Sequence, residues 1–205
     1  MSKVRGAGSS AASSAVLRAI PSTVPSTVPS TLPSRIRSTI RSTVLDGLGP
    51  VVDPDTRLII LGSFPGVASL QAQQYYGHPR NHFWQILGAV WQIDLKTASY
   101  AERLAAARAH HLGLWDVYAR CRREGSLDSA IEDAEFNDLA GLMLLAPNLR
   151  AIAHNGGESA RAMRHTRAHG LPVVRLPSTS PANASWSFDK KLAAWRATLE
   201  QFGAT

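Results

Sequence analysis

Four short apolar runs constrain this chain more than any other feature: Arg57–Leu61, Gly113–Val117, Leu149–Ala153 and Val173–Leu176. Stretches with helical periodicity separate them. Phe83, Trp84, Ile86, Leu87, Val90 and Trp91 recur at helical spacing. Ala98–His110 is rich in Ala, Arg and Leu and predicts a second helix. Asn137 or Asp138 can cap a third that runs to about Leu145, with Pro147 after its end. Further helices are predicted from Glu158 to about His169 and over Phe188–Phe202, the latter amphipathic through Leu192, Trp195 and Leu199. Strands alternating with helices predict a three-layer α/β/α domain around a four-stranded, mostly parallel sheet. Residues 120–134 read as a polar connection.

Each apolar run ends in small, polar residues: GSFPG, DVYARC, HNGG and PSTSPANAS. Parallel strands place these four segments along one edge of the sheet, where ligands bind in open α/β folds. The first is the longest. From Gly62 to Asn81 it holds Ser63, Pro65, Gly66, Ser69, Tyr75, Tyr76, Gly77 and His78 before a helix resumes near Phe83. A loop of about twenty residues inside a compact domain is usually functional. Its small residues let backbone amides approach a ligand, its aromatics offer stacking faces, and Asn and His offer hydrogen bonds.

Charge is unevenly placed. Residues 1–45 hold Lys3, Arg5, Arg18, Arg35, Arg37 and Arg41 and no acidic residue, which leaves 16 Lys and Arg of 22 against 15 Asp and Glu in the remainder. The high pI therefore belongs to the tail and is no argument for DNA binding by the body. Residues 21–44 repeat PSTV, PSTV, PSTL, PSRIR, STIR, STV, and prolines at this spacing prevent a stable helix. Residues 1–50 are thus expected to be a disordered basic tail and 51–205 the folded domain, which begins near Leu45–Val52. The tail either adds non-specific DNA affinity or is a dispensable leader. Its Ser- and Ala-rich, acid-free start has the composition of an organellar transit peptide and equally of a bacterial extension. The expected location is cytoplasmic, with the bacterial nucleoid. The single cysteine, Cys121, excludes a disulfide framework within one chain and suits a reducing compartment. No apolar run approaches the length of a membrane span.

Three motifs in order, GSFPG after the first strand, HPRNHFW about fifteen residues on, and STSPANAS after the last strand, resemble the uracil-DNA glycosylase superfamily and, within it, the hypoxanthine-DNA glycosylase branch. The likeness covers roughly residues 55–200. It implies a monofunctional enzyme that flips a deaminated base out of DNA and hydrolyses its N-glycosidic bond as a monomer, with no metal, organic cofactor or membrane partner. Two departures stand out. Many members place Asp or Asn third in the first motif to position the attacking water; here that residue is Phe64, which can neither orient a water nor accept its proton. Several members carry a His in the last motif, and this chain has none there.

By the same resemblance the hypoxanthine branch uses the Asn of the second motif, here Asn81. An amide orients a water or hydrogen-bonds a leaving base but is not a strong general base; Asn81 is equally placed to cap the following helix. Phe83 matches the ring that stacks on the flipped base, and is also ordinary core material. Gly62, Ser63, Phe64, Pro65 and Gly66 are expected to face the base. Asp116 is expected to read a base edge or to stabilise a neighbouring loop; Asn155, where HNGG opens a helix whose amides can bind a phosphate, is expected to meet the base or to be only a turn residue. Tyr75, Tyr76, His78 and Arg80 are assigned to the pocket mouth or the DNA. Ser178, Thr179, Ser180, Asn183 and Ser185 match the segment that pinches the DNA backbone, and Ala184–Trp186 would carry the wedge that fills the gap left by the flipped base. His78 and His82 lie four apart, but Pro79 breaks the helical geometry a metal pair would need. Rival readings are excision of uracil or xanthine by the same fold, and a lesion-binding protein without turnover, which Phe64 keeps open. A serine hydrolase is disfavoured because GSFPG lacks the nucleophile-elbow spacing.

Overall fold

In the computed structural model, which describes residues 43–205, the continuous apolar run Leu58–Gly62 forms β2 at the centre of a parallel sheet. Leu58, Ile59, Ile60 and Leu61 are all buried, as expected of a strand covered on both faces. It is flanked by β3 (Leu112–Asp116) and β6 (Ala151–Asn155), and β7 (Val173–Leu176) completes the order β3-β2-β6-β7. All three pairings are parallel, and the register sets Gly62 beside Asp116, Leu61 beside His154, and Asn155 beside Leu176. The four strand ends therefore share one edge. The third strand lies two residues later than its apolar run suggests, so His154 and Asn155 are its last residues rather than the start of a loop.

Helices flank this sheet: α1 (Val67–Ala72), α2 (Phe83–Trp91), α3 (Tyr100–Ala109), α4 (Leu139–Leu145), α5 (Gly157–Ala160), α6 (Met163–Arg167) and α7 (Phe188–Phe202). Their starts follow local chemistry. Ser99 and Glu102 form a reciprocal capping box on α3; Asp138 caps α4 by accepting from Gly141 N; Ser187 caps α7. The helix expected over residues 158–169 is broken into α5 and α6, because Arg161 N and Ala162 N bond back three residues rather than four and tighten the turn between them. The long first loop is shortened by α1.

A second sheet is the main surprise. β1 (Val44–Asp46), β4 (Tyr118–Arg122) and β5 (Glu132–Phe136) form an antiparallel sheet in the order β1-β4-β5. Residues 120–134, expected to be a polar connection, thus contribute two strands. Their exposed polar residues hide the strand pattern, and opposite charges supply part of the pairing: Arg120 reaches Asp46 at 3.3 Å and Glu135 at 3.7 Å, and Arg122 reaches Asp133 at 3.3 Å. The strand β1 also moves the start of the body. Residues 44–50 are not part of a tail: Leu48 O accepts from Trp115 Nε1 at 3.2 Å and Val51 bonds Leu114 in both directions. The rest of the tail expectation, including the repeat up to residue 42, lies outside the described residues.

Candidate active site

The shared strand edge opens into a cleft of about 880 Å3. It is lined by Gly62, Ser63, Phe64, Pro65, Gly66, Tyr75, Tyr76, His78 and Asn81 from the first loop and by Asp116 and Asn155 from neighbouring strand ends. Ser178, Thr179, Ser180, Asn183, Ser185 and Trp186 line it from the segment after β7. Phe83 and Arg80 are absent from this lining.

Its floor is built around Asp116. Gly62 stands beside it in register, and a Cβ at Gly62 would collide with Asp116 Oδ1, so the glycine makes room for the carboxyl. Asp116 is buried, and its Oδ2 has no hydrogen-bond partner. Burial pushes its pKa up to about 7; the Asp128 carboxylate adds to the rise and Arg123 opposes it. The carboxyl therefore changes charge near neutral pH, as active-site acids often do. Asp128 in turn accepts from Ser63 Oγ at 2.7 Å. Arg123 is buried, donates through Nη2 to Pro65 O, and lies 5.1 Å over the Phe64 ring, while its Nε and Nη1 have no partner. Phe64 is thus a wall of the first loop clamped by a cation, and it offers no hydrogen bond to a water.

Tyr76 provides the aromatic face, and this corrects the expectation for Phe83. Tyr76 adopts a left-handed backbone (φ 55°) that swings its ring onto Phe83, with centroids 3.7 Å apart and planes 15° from parallel. Phe83 has no exposed surface and meets Trp84 and Trp195 edge-on, so it belongs to the core and cannot stack on a base while Tyr76 covers it. The Tyr76 hydroxyl is buried without a well-formed hydrogen bond, with Gly62, Asp116 and Asn155 as neighbours. Burial, then the Asp116 charge, raises its pKa far above the usual tyrosine range. Tyr75 is corrected as well. It is 3% exposed, its hydroxyl is shared between Leu48 O and Gly49 O, and its backbone accepts from Trp84 Nε1; it braces the loop and is not a DNA contact.

Asn81 lies one residue before His82, the N-cap of α2. Its Oδ1 accepts from Phe83 N at 3.0 Å, tying it to the first turn of α2, and its side chain lines the cleft. The second lone pair of Oδ1 and the Nδ2 donors remain available. His78 Nδ1 accepts from Arg80 N, and Arg80 is exposed beside the cleft and absent from its lining.

The segment after β7 is braced from within. Thr179 has no exposed surface. Its hydroxyl accepts from Asn155 Nδ2 (2.9 Å), its N–H donates to Asn155 Oδ1 (3.0 Å), and its carbonyl accepts from His82 N (3.0 Å). These bonds knit the ends of β6 and β7 to the start of α2, while Asn155, half-buried in the cleft wall, keeps a second Nδ2 proton and a second Oδ1 lone pair. Ser178 Oγ accepts from Ser180 N, Asn183 Nδ2 donates to Ser178 O, and Ser185 Oγ donates to Asn183 Oδ1. Lys191, buried in α7, donates to Asn183 O from below; burial lowers its pKa. Gly156 (φ 99°) lies against Ser178, where a Cβ would collide, so the glycine lets the two loops touch. The other end residue of β6, His154, points away from this network. It is held by Ser159 and Thr166 and is kept neutral, with burial lowering its pKa to about 4.

Asp128, Arg123, Ser126 and Leu127 were not anticipated. They lie in the segment read as a polar connection, where Leu127 alone among polar neighbours was the available signal. Among the described residues, no three His, Cys, Asp or Glu side chains gather as a metal site would require, and no helix is long and apolar enough to cross a membrane.

The protein is thus an α/β domain whose parallel four-stranded sheet carries, around one cleft at its strand ends, an aromatic ring, an amide and a buried carboxyl. A family model for the uracil DNA glycosylase superfamily matches residues 50–202. The chain belongs to that superfamily. It is 40% identical over 149 residues to a hypoxanthine DNA glycosylase of Methanosarcina barkeri, covering 73% of this chain and 94% of the relative. It is 38% identical over 153 residues to a hypoxanthine DNA glycosylase of Methanosarcina acetivorans, covering 75% and 96%. The solution structure of a putative uracil DNA glycosylase from M. acetivorans superposes with a TM-score of 0.71 at 36% identity, covering 78% of this chain and 99% of that one.

Proposed function

We propose that this protein is a monofunctional DNA glycosylase that excises hypoxanthine, the deaminated form of adenine, by hydrolysis of its N-glycosidic bond. The observation that carries the reading is the placement of Asn81, Asp116 and the Tyr76 ring around one cleft at the strand ends. An enzyme acting on a base must take it out of the duplex, and a flipped base needs a stacking face and polar groups for its edge. Tyr76 supplies the face. Asp116 supplies the polar group: as a carboxylate it accepts from N1–H of hypoxanthine, and as an acid it donates to O6. Uracil offers the same N–H beside a carbonyl, so Asp116 alone does not separate the two bases. The names of the two curated relatives favour hypoxanthine.

Asn81 is the residue nearest in kind to a catalytic group. Its Oδ1, aimed by the Phe83 N–H, accepts from the attacking water. Because an amide takes up no proton, bond cleavage runs ahead of attack, and fixed dipoles carry most of the barrier lowering. The water oxygen ends on C1′ and its proton on the departing base. One chain carries every residue invoked, which supports a monomer acting on DNA that contains deaminated bases.

The test is base release by purified protein in EDTA from matched duplexes containing hypoxanthine, uracil, xanthine or no lesion, with abasic sites revealed by alkali. Cleavage at hypoxanthine is expected. Preferential cleavage at uracil or xanthine would keep the fold and overturn the substrate. Lesion-dependent binding without release would support the non-catalytic reading that Phe64 keeps open.

A further inference from the structure

Arg123 is buried just past β4 with Nε and Nη1 unpaired. Its Nη2 donates to Pro65 O, and its guanidinium lies 5.1 Å over the Phe64 ring. A buried cation with unused donors is costly unless an opposite charge answers it. Two carboxyls feel this charge. Asp116 is buried on the cleft floor with Oδ2 unpaired, and Asp128 accepts from Ser63 Oγ at 2.7 Å. The Asp128 carboxylate favours the protonated form of Asp116, and Arg123 favours the ionised form. Tyr75 and Tyr76 also face Asp116 from the first loop, and burial keeps both neutral. A cation and an anion thus press in opposite directions on one unpaired carboxyl, at the floor of a cleft shaped for a flipped base.

The two forms of that carboxyl read purines differently. A carboxylate accepts from N1–H of hypoxanthine but meets a lone pair at N1 of adenine. A carboxylic acid donates to O6 of hypoxanthine and equally to N1 of adenine. Only the carboxylate separates the lesion from the normal base. We propose that Arg123 is a positioning residue that sets base specificity through Asp116: its charge favours the ionised carboxyl, which refuses adenine. The inference rests on the proposed glycosylase activity and adds to it the means of sparing undamaged DNA. Asp128 works against Arg123, so the balance between them sets the pH below which the refusal fails.

The experiment measures binding of duplexes that carry hypoxanthine or adenine on a 2′-fluoro-arabino sugar, which resists cleavage. Each base stands opposite a tetrahydrofuran abasic site, so neither has a pairing partner to lose. In wild type the preference for hypoxanthine is expected to be about tenfold or more in alkaline buffer and to fall toward unity as pH drops through about 7. Arg123→Met is expected to move this midpoint up by about one pH unit, and Asp128→Asn, whose amide still accepts from Ser63 Oγ, to move it down by a similar amount. Arg123→Lys keeps the cation and should restore the wild-type midpoint. A purely structural defect weakens both duplexes together and leaves the ratio unmoved. A wild-type ratio that does not change with pH, or Arg123→Met and Asp128→Asn midpoints that do not move apart, would overturn the proposal. Asp128 is exposed, so its variant tests the charge balance even where Arg123→Met does not fold. Base release from cleavable hypoxanthine duplexes is followed in parallel. If wild type released none, the glycosylase reading would fall, and the binding ratio would still decide the role of Arg123.

Discussion

The two halves of the strand edge treat their polar atoms in opposite ways. At the ends of β2 and β3, Asp116 Oδ2 is buried without a partner, the Tyr76 hydroxyl is buried with no well-formed hydrogen bond, and the Asn81 amide lines the cleft with donors unused. At the ends of β6 and β7, Asn155 and Thr179 exchange two hydrogen bonds, and Ser178, Ser180, Asn183 and Ser185 bond one another. A buried polar group without a partner destabilises a protein by about 1–3 kcal/mol. Such groups persist where a ligand completes them, so the unsatisfied half is where chemistry is expected. The satisfied half is a scaffold that holds the other in place, even though both read alike as small polar loops.

The largest effect that could break this contrast is at Asn81. Asn81→Ala should lower single-turnover base release by about 10²–10³-fold. Asn81→Ser should recover the hydrogen bond to Phe83 N, worth about 1 kcal/mol of thermal stability, without recovering the rate. Full activity in either variant would remove Asn81 from the chemistry.

Next comes the aromatic pair. Tyr76→Ala should weaken catalysis by about 1–3 kcal/mol, the range for losing a base-stacking ring, with a small change in Tm. Phe83→Ala should instead destabilise the fold by about 3–5 kcal/mol. The reverse pattern, a Tyr76 variant that melts early and a Phe83 variant that only loses rate, would restore Phe83 as the stacking face.

Asp116 gives a pH signature. In the folded protein it keeps its proton up to about pH 7, whereas the unfolded chain releases it near the ordinary carboxyl value of 3.8. Between these values the native state holds more protons. Stability therefore falls as pH rises from about 4 to about 7 and levels off above. Asp116→Asn should remove this slope, so the variant gains on wild type between pH 5 and pH 8 in thermal melts. A parallel pH dependence in the two proteins would show that Asp116 does not titrate in this way.

The smallest effects belong to the scaffold half. Thr179→Val should destabilise by about 1–2 kcal/mol through the lost Asn155 bond while leaving the salt dependence of DNA binding unchanged. Ser185→Ala, exposed and bonded only to Asn183, should change base release by less than about twofold. A large loss of DNA affinity at Ser185 would blur the division between the two halves.

The central sheet was legible because β2 is an unbroken apolar run that double burial explains, and its neighbours are short, mostly apolar runs. β7 and α7 fall where their residues place them, since Ser187 and Gly203 mark both ends of the last helix. The antiparallel sheet was hidden because Tyr118–Arg122 and Glu132–Phe136 carry exposed, charged side chains and owe part of their pairing to partners distant in sequence. Within the site, Asn81, Tyr76 and Asp116 could be singled out by residue type and position, but their roles could not. Whether Tyr76 or Phe83 faces the cleft depends on one left-handed backbone position.

Composition, periodicity and three ordered motifs thus determined the fold class, the strand edge that carries the site and the family. Local residue chemistry suffices for these, because burial patterns, caps and turns act over a few residues. Tertiary structure decided which polar atoms are left without partners, that Arg123 and Asp128 reach the first loop, and that Leu127 stands at the cleft mouth. These depend on contacts such as Ser63 to Asp128, sixty-five residues apart, and on burial that shifts Asp116 toward neutral pH. Hydrogen-bond satisfaction is a property of the packed whole, and no single stretch of chain encodes it.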